Sequence, residues 1–149
     1  QLVNEIIFCF DGDDAGRGAA WGALKNVLPA VSDGNEIKFL FLPEGEDPAS
    51  LLEKESVEDF KIRIKDAKLL SEYFIEKLTQ TFEITSLEKK ASLASKAMGH
   101  LASMQESSIK KLLESEVSKV TGLDINDLQT HSHSSVKNRK SLRIKNDLA

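Results

Sequence analysis

The 149-residue chain is predicted to form an α/β unit followed by an all-α unit. Three observations predict this. The apolar run Ile6-Ile7-Phe8-Cys9-Phe10 ends abruptly in Asp11-Gly12-Asp13-Asp14-Ala15-Gly16, a strand running into a tight turn. An amphipathic helical pattern and a second apolar run follow at once. After Leu42 no strand pattern appears, and apolar residues recur only at helical spacing.

The first strand is expected over about residues 3 to 10, buried, and reached almost directly from residue 1, as in a piece of a longer protein. A helix is predicted over about 14 to 28, with Ala20, Trp21, Leu24, Val27 and Leu28 on one stripe and Trp21 packing helix to sheet. Asp33-Gly34-Asn35 signals a turn, and a second buried strand spans Ile37 to Leu42. Strand, helix, strand with short links is a βαβ unit. Its parallel strands bring both carboxyl ends to one edge, so the Asp11 loop and the Pro43–Pro48 loop share that edge.

Downstream, Asp47 is a candidate cap for a short helix opened by Pro48, and Ser56 marks another helix start. Three amphipathic helices are predicted at about 67 to 82, 86 to 104 and 107 to 121. The middle one opens on a capping box, Thr85-Ser86-Leu87-Glu88, and carries Leu87, Ala91, Ala94, Met98 and Leu101 on one face. The last is striped by Ile109, Leu112, Leu113, Val117 and Val120 and stops at Gly122; a small helix near 124 to 128 closes the bundle. The expected division is 1–54 for the α/β unit, 55–128 for the bundle and 129–149 for a basic linker.

Composition excludes several classes. The chain is 40% hydrophobic and 30% charged with net charge −4, as in a globular protein. No apolar run approaches the roughly 20 residues of a membrane span, so no membrane partner and a cytoplasmic setting are expected. The single cysteine, Cys9, rules out a disulfide framework or a cysteine zinc site and is expected to be buried. Residues 131–149 carry a balance of +4, which leaves −8 for the rest. That remainder suits a metal site better than a phosphate-gripping groove.

Asp11 and Asp13 leave the strand on one side, because alternate residues share a face, and two carboxylates so placed call for a cation or a proton between them, a divalent metal being the usual answer. An EF-hand loop beginning at Asp11 fails at Ala15 and Gly22, where further oxygen ligands are needed. A haloacid dehalogenase-type phosphatase needs Thr or Val soon after its second Asp and later acidic strands, and this chain offers neither. Asp14, at the head of the helix, is expected to cap it.

Phe10-Asp11-Gly12-Asp13, then Ala15-Gly16-Arg17 and Ala19-Ala20-Trp21, followed by Phe39-Leu40-Phe41-Leu42-Pro43-Glu44-Gly45-Glu46-Asp47-Pro48, closely resembles the bacterial DNA primase family. The matching part is the second half of the family's Toprim subdomain, a partial βαβ unit, and the helical half resembles the subdomain that follows, notably in Ala67 to Phe74. The resemblance implies a metal-dependent DNA-templated RNA polymerase that makes short primers for replication. It implies Asp11, Asp13 and Asp47 as ligands of Mg²⁺ or Mn²⁺, the first two catalytic, and Gly12, Gly16 and Arg17 as nucleotide or phosphate contacts. For Gly12 and Gly16 a tight turn explains the same residues, and for Arg17 a solvated first-turn position does. Ala49 departs from the family, where a further Asp is common. The implied partners are a single-stranded DNA template, ribonucleoside triphosphates, and the replicative helicase through a domain beyond this chain; zinc would belong to another absent domain. The family's Toprim glutamate lies on an earlier strand, so the isolated chain is expected to be inactive. The alternatives are a structural or interaction module, and a different Toprim enzyme, a nuclease or topoisomerase.

Overall fold

In the computed structural model, which describes residues 4–130, the chain divides into two compact units, one running to Glu76 and the other from Lys77. The first is built on a three-stranded sheet in the order β1 (Asn4–Phe10), β2 (Asn35–Phe41), β3 (Lys68–Leu69). β1 and β2 are parallel, in the register Phe8↔Phe39 and Phe10↔Phe41, as the βαβ reading requires. α1 (Asp14–Val27) makes the crossover and ends in a 3₁₀ turn at Leu28–Ala30, where Pro29 cannot donate the next helical hydrogen bond.

The register sorts the side chains. Phe8, Phe10, Phe39 and Phe41 share one face and contact one another at centroid distances of 5.5 to 6.3 Å. Tyr73, near the start of α4 (Leu70–Phe82), packs on Phe39 and Phe41 at 5.0 and 5.2 Å. Trp21 meets Tyr73 edge-on and stacks on Phe74, so it joins α1 to α4. On the opposite face Leu40 and Leu42 form a core with Leu51, from α2 (Pro48–Lys54), against which Phe60 and Ile64 of α3 (Val57–Lys65) pack.

Two expectations for this unit are corrected. β3 is a strand downstream of Leu42, pairing antiparallel at Lys38↔Leu69 and Phe39↔Lys68; two residues are too few to show a period. β1 is not buried. It forms one edge of the sheet, so Ile6 is 43% exposed and Cys9 is an exposed free thiol. Partial desolvation of the thiol and then the neighbouring Asp11 carboxylate push it above its ordinary value. The compact units divide at 76/77, and α3, β3 and the first half of α4 fall with the sheet.

In the second unit, α5 (Leu87–Leu101) and α6 (Ser108–Thr121) pack together. α5 buries Leu93, Ala94, Ala97, Met98 and Leu101, while Leu87 is 79% exposed and Ala91 is also exposed. Its cap is Ser86, which accepts from Lys89 N–H, so Glu88 stands at the second helical position and the expected capping box does not form. α6 buries Leu113, Glu114, Val117 and Thr121, and Leu112 is 62% exposed against expectation. Gly122 ends α6 at φ +76°, as predicted. A further helical segment starts at residue 125 and buries Leu128, and Gln129 donates to the buried Glu114 carboxylate at 3.3 Å. No described helix is long and apolar enough to cross a membrane. The basic segment 131–149 lies outside the described residues.

Candidate metal centre

The parallel pairing of β1 and β2 sets the two acidic loops side by side. Leu42 N–H donates to Phe10 O at 3.0 Å, so both strands end at the same level. Beyond them the turn at Gly12 presses on the second loop: a Cβ on Gly12 would stand 2.1 Å from Leu42 O and 2.7 Å from Glu44 N. Gly16 is equally constrained, its Cβ position lying 2.0 Å from Asp11 O. Both glycines therefore have a packing reason for their identity. They allow the first turn of α1 and the 42–44 backbone to close on the Asp11–Asp14 turn.

Asp13, not Asp14, is the N-cap of α1. Its Oδ1 accepts from Gly16 N–H at 2.6 Å, which leaves Oδ2 without a donor from any described residue. Asp14 occupies the first helical position, exposed, and pairs with Arg17 at 3.4 Å. Arg17 is thus an exposed first-turn arginine, and its carbonyl accepts from Tyr73 Oη at 3.5 Å. Asp11 is exposed, and no described residue donates a hydrogen bond to its carboxylate. Asp47 caps α2 as the sequence indicates, its Oδ1 accepting from Ser50 N–H at 2.8 Å, while Ser50 Oγ accepts from Asp47 N–H at 3.0 Å.

Sequence reasoning missed Glu46. Its side chain is only 14% exposed and is bound by Lys54 and by the Ser50 hydroxyl. The signal was available in its spacing, four residues before Ser50 and eight before Lys54, either side of a predicted cap. The Lys54 ammonium and then the Ser50 hydroxyl hold its carboxyl below the usual glutamate range.

Among the described residues no group of three or more His, Cys, Asp or Glu side chains is gathered to hold a metal ion. The structure therefore brings together the loops of Asp11, Asp13 and Asp47 without converging all three carboxylates. The donor chemistry still fits Mg²⁺, which keeps several waters and takes one or two protein carboxylates beside substrate phosphates. Exposed carboxylate oxygens on Asp11 and Asp13 meet that demand. A cleft of about 510 Å³ beside α3 is separate from this site, and its Arg63 is bound by Glu55 at 2.7 and 3.0 Å.

Against proteins of known identity, the chain is 45% identical over 136 residues to the DNA primase of Pseudomonas aeruginosa, a match that covers 89% of the chain. The chain is a bacterial DNA primase homologue. It spans about a fifth of the length of that primase. A crystal structure of a DNA primase domain from Pseudomonas aeruginosa superposes with a TM-score of 0.83 at 43% identity, covering 87% of this primase homologue and 40% of that chain. The structure of a DnaG primase catalytic domain bound to single-stranded DNA matches at TM-score 0.73 and 35% identity, over 78% of this chain and 37% of its own. Residues 71–126 match the family described as the DnaB-helicase binding domain of primase. The helicase-binding likeness thus falls on α4 to α6, within the chain, where the sequence reading looked to a later domain.

Proposed function

We propose that this chain is part of the catalytic core of a DNA primase, a DNA-templated RNA polymerase that makes short primers for DNA replication. The observation that carries the reading is the Asp11-Gly12-Asp13 turn at the carboxyl end of β1, closed against the Leu42–Asp47 loop, in a chain with primase relatives. Asp11, Asp13 and Asp47 would hold Mg²⁺ or Mn²⁺, hard cations suited to carboxylate oxygens. When bound, the ion supplies charge neutralisation for a ribonucleoside triphosphate and for the attacking 3′-hydroxyl. The chain's own residues would orient that chemistry: Gly12 and Gly16 hold the turn, and Arg17, exposed at the head of α1 beside Asp14, would meet a phosphate. Single-stranded DNA is the expected template, in keeping with the DNA-bound relative.

The test is template-directed incorporation of labelled ribonucleotides by the intact parent protein, wild type beside Asp13→Asn. Asparagine retains the oxygen that caps α1, so the variant keeps its fold while losing the charge. Primer synthesis should collapse with the circular dichroism unchanged. Full synthesis by the variant would overturn the assignment of Asp13.

The family match over residues 71–126 favours a second role for the helical half, contact with a replicative helicase. Pull-down of the purified helicase by the chain tests it. Equal capture after deletion of residues 77 to 130 would refute it.

A further inference from the structure

The loop that carries Asp47 is closed at both ends. At its start, Glu46 N–H donates to Pro43 O at 3.1 Å, and Gly45 at φ +80° takes the left-handed third position of a type II turn. At its end, Glu46 lies folded in while its neighbours Glu44 and Asp47 are exposed. Glu46 Oε2 accepts from Ser50 Oγ at 2.5 Å, and Oε1 takes the Lys54 ammonium. Ser50 is also the residue that binds Asp47 twice, through its backbone N–H to Oδ1 and through its hydroxyl oxygen from Asp47 N–H. The hydroxyl has one proton. Glu46 takes it at the shorter distance, which leaves Asp47 O, 3.1 Å away, the weaker partner and turns the oxygen lone pairs to Asp47 N–H.

Both oxygens of Glu46 are thereby committed within the protein, whereas no described residue donates to Asp47 Oδ2. We infer that Glu46, held by Lys54, is a positioning residue: it locks the Ser50 hydroxyl against the Asp47 backbone N–H and so keeps Ser50 where its own N–H fixes the Asp47 carboxylate for metal. The inference rests on the assignment of Asp47 to the metal site made above.

Manganese binding by the full chain tests it, read as paramagnetic broadening of the Gly12, Gly16 and Gly45 amide signals in a Mn²⁺ titration. The variants are Lys54→Met, Lys54→Arg and Asp47→Asn, each checked by circular dichroism and thermal melting. Simple electrostatics predicts that removing a lysine beside an acidic loop tightens Mn²⁺ binding. Positioning predicts the opposite sign. Lys54→Met should weaken binding about tenfold, the low end for loss of a group that orients a ligand, and Lys54→Arg should restore it. Unchanged or tighter binding in Lys54→Met, with weaker binding in Asp47→Asn, would overturn the positioning role and leave the site reading intact. Unchanged binding in Asp47→Asn would overturn the place of Asp47 in the site, and the positioning role with it.

Discussion

Gly12 and Asp13 show how little room the strand-end turn leaves for substitution. A Cβ on Gly12 would meet backbone, Leu42 O at 2.1 Å, and backbone cannot swing aside as a side chain can. Gly12→Ala should therefore destabilise the chain by about 1–3 kcal/mol, the usual cost of overpacking, seen as a lower urea midpoint. Asp13→Ala should cost about 1 kcal/mol by loss of the α1 cap, while Asp13→Asn stays within a few tenths; paired denaturation curves check the contrast. The acidic turn itself was legible in the sequence, but the division of labour inside it was not. A capping carboxylate and a metal-binding carboxylate both follow a strand and precede a helix, so shifting the cap by one residue, from Asp14 to Asp13, leaves the sequence pattern unchanged.

At the scale of elements, α6 shows where periodicity misleads. Side chains turn about 100° per residue, so Leu112 and Leu113 lie far apart around the helix although both were placed on one stripe. The buried arc holds Leu113, Val117 and Thr121 together with Glu114. Counting only apolar residues ignored Glu114 and Thr121 and drew the stripe too far toward Leu112. Both polar groups are satisfied, Thr121 Oγ1 donating to Val117 O at 2.7 Å and Glu114 accepting from Gln129, which is why the arc can include them. Leu113→Ala should cost about 2–5 kcal/mol. Leu112→Ala should stay within about 0.5 kcal/mol, as for a surface change, and urea denaturation followed at the helical dichroism band separates the two. β3 was illegible for a different reason, since its pairing with Lys38 and Phe39 is a tertiary event that two residues cannot announce.

For the whole molecule, the order of strand, helix, strand and then helices was readable because each long element carries its own period, whereas the edge position of β1 depends on which strands pair with it. Charge acts at the same scale, since an acidic chain gathers its carboxylates' contributions into one pH dependence. Glu88 lies below its ordinary value of 4.5 through a hydrogen bond from its own backbone N–H and then the Ser86 hydroxyl. Glu106 is lowered chiefly by the Lys110 ammonium, 2.5 Å away. A carboxyl group with a folded value below its unfolded one binds fewer protons when folded. Its contribution is complete above 4.5 and is lost as pH falls through the lowered folded value. The urea midpoint should accordingly hold steady from neutral pH down to the ordinary glutamate range and fall beneath it. Both groups are solvent-exposed, so salt should shrink the part of the fall that comes from the Glu106 pair more than the part from the Glu88 cap. Glu88→Gln combined with Glu106→Gln should flatten the acid limb; a limb as steep as that of the unmodified chain would assign the acid loss to other carboxylates.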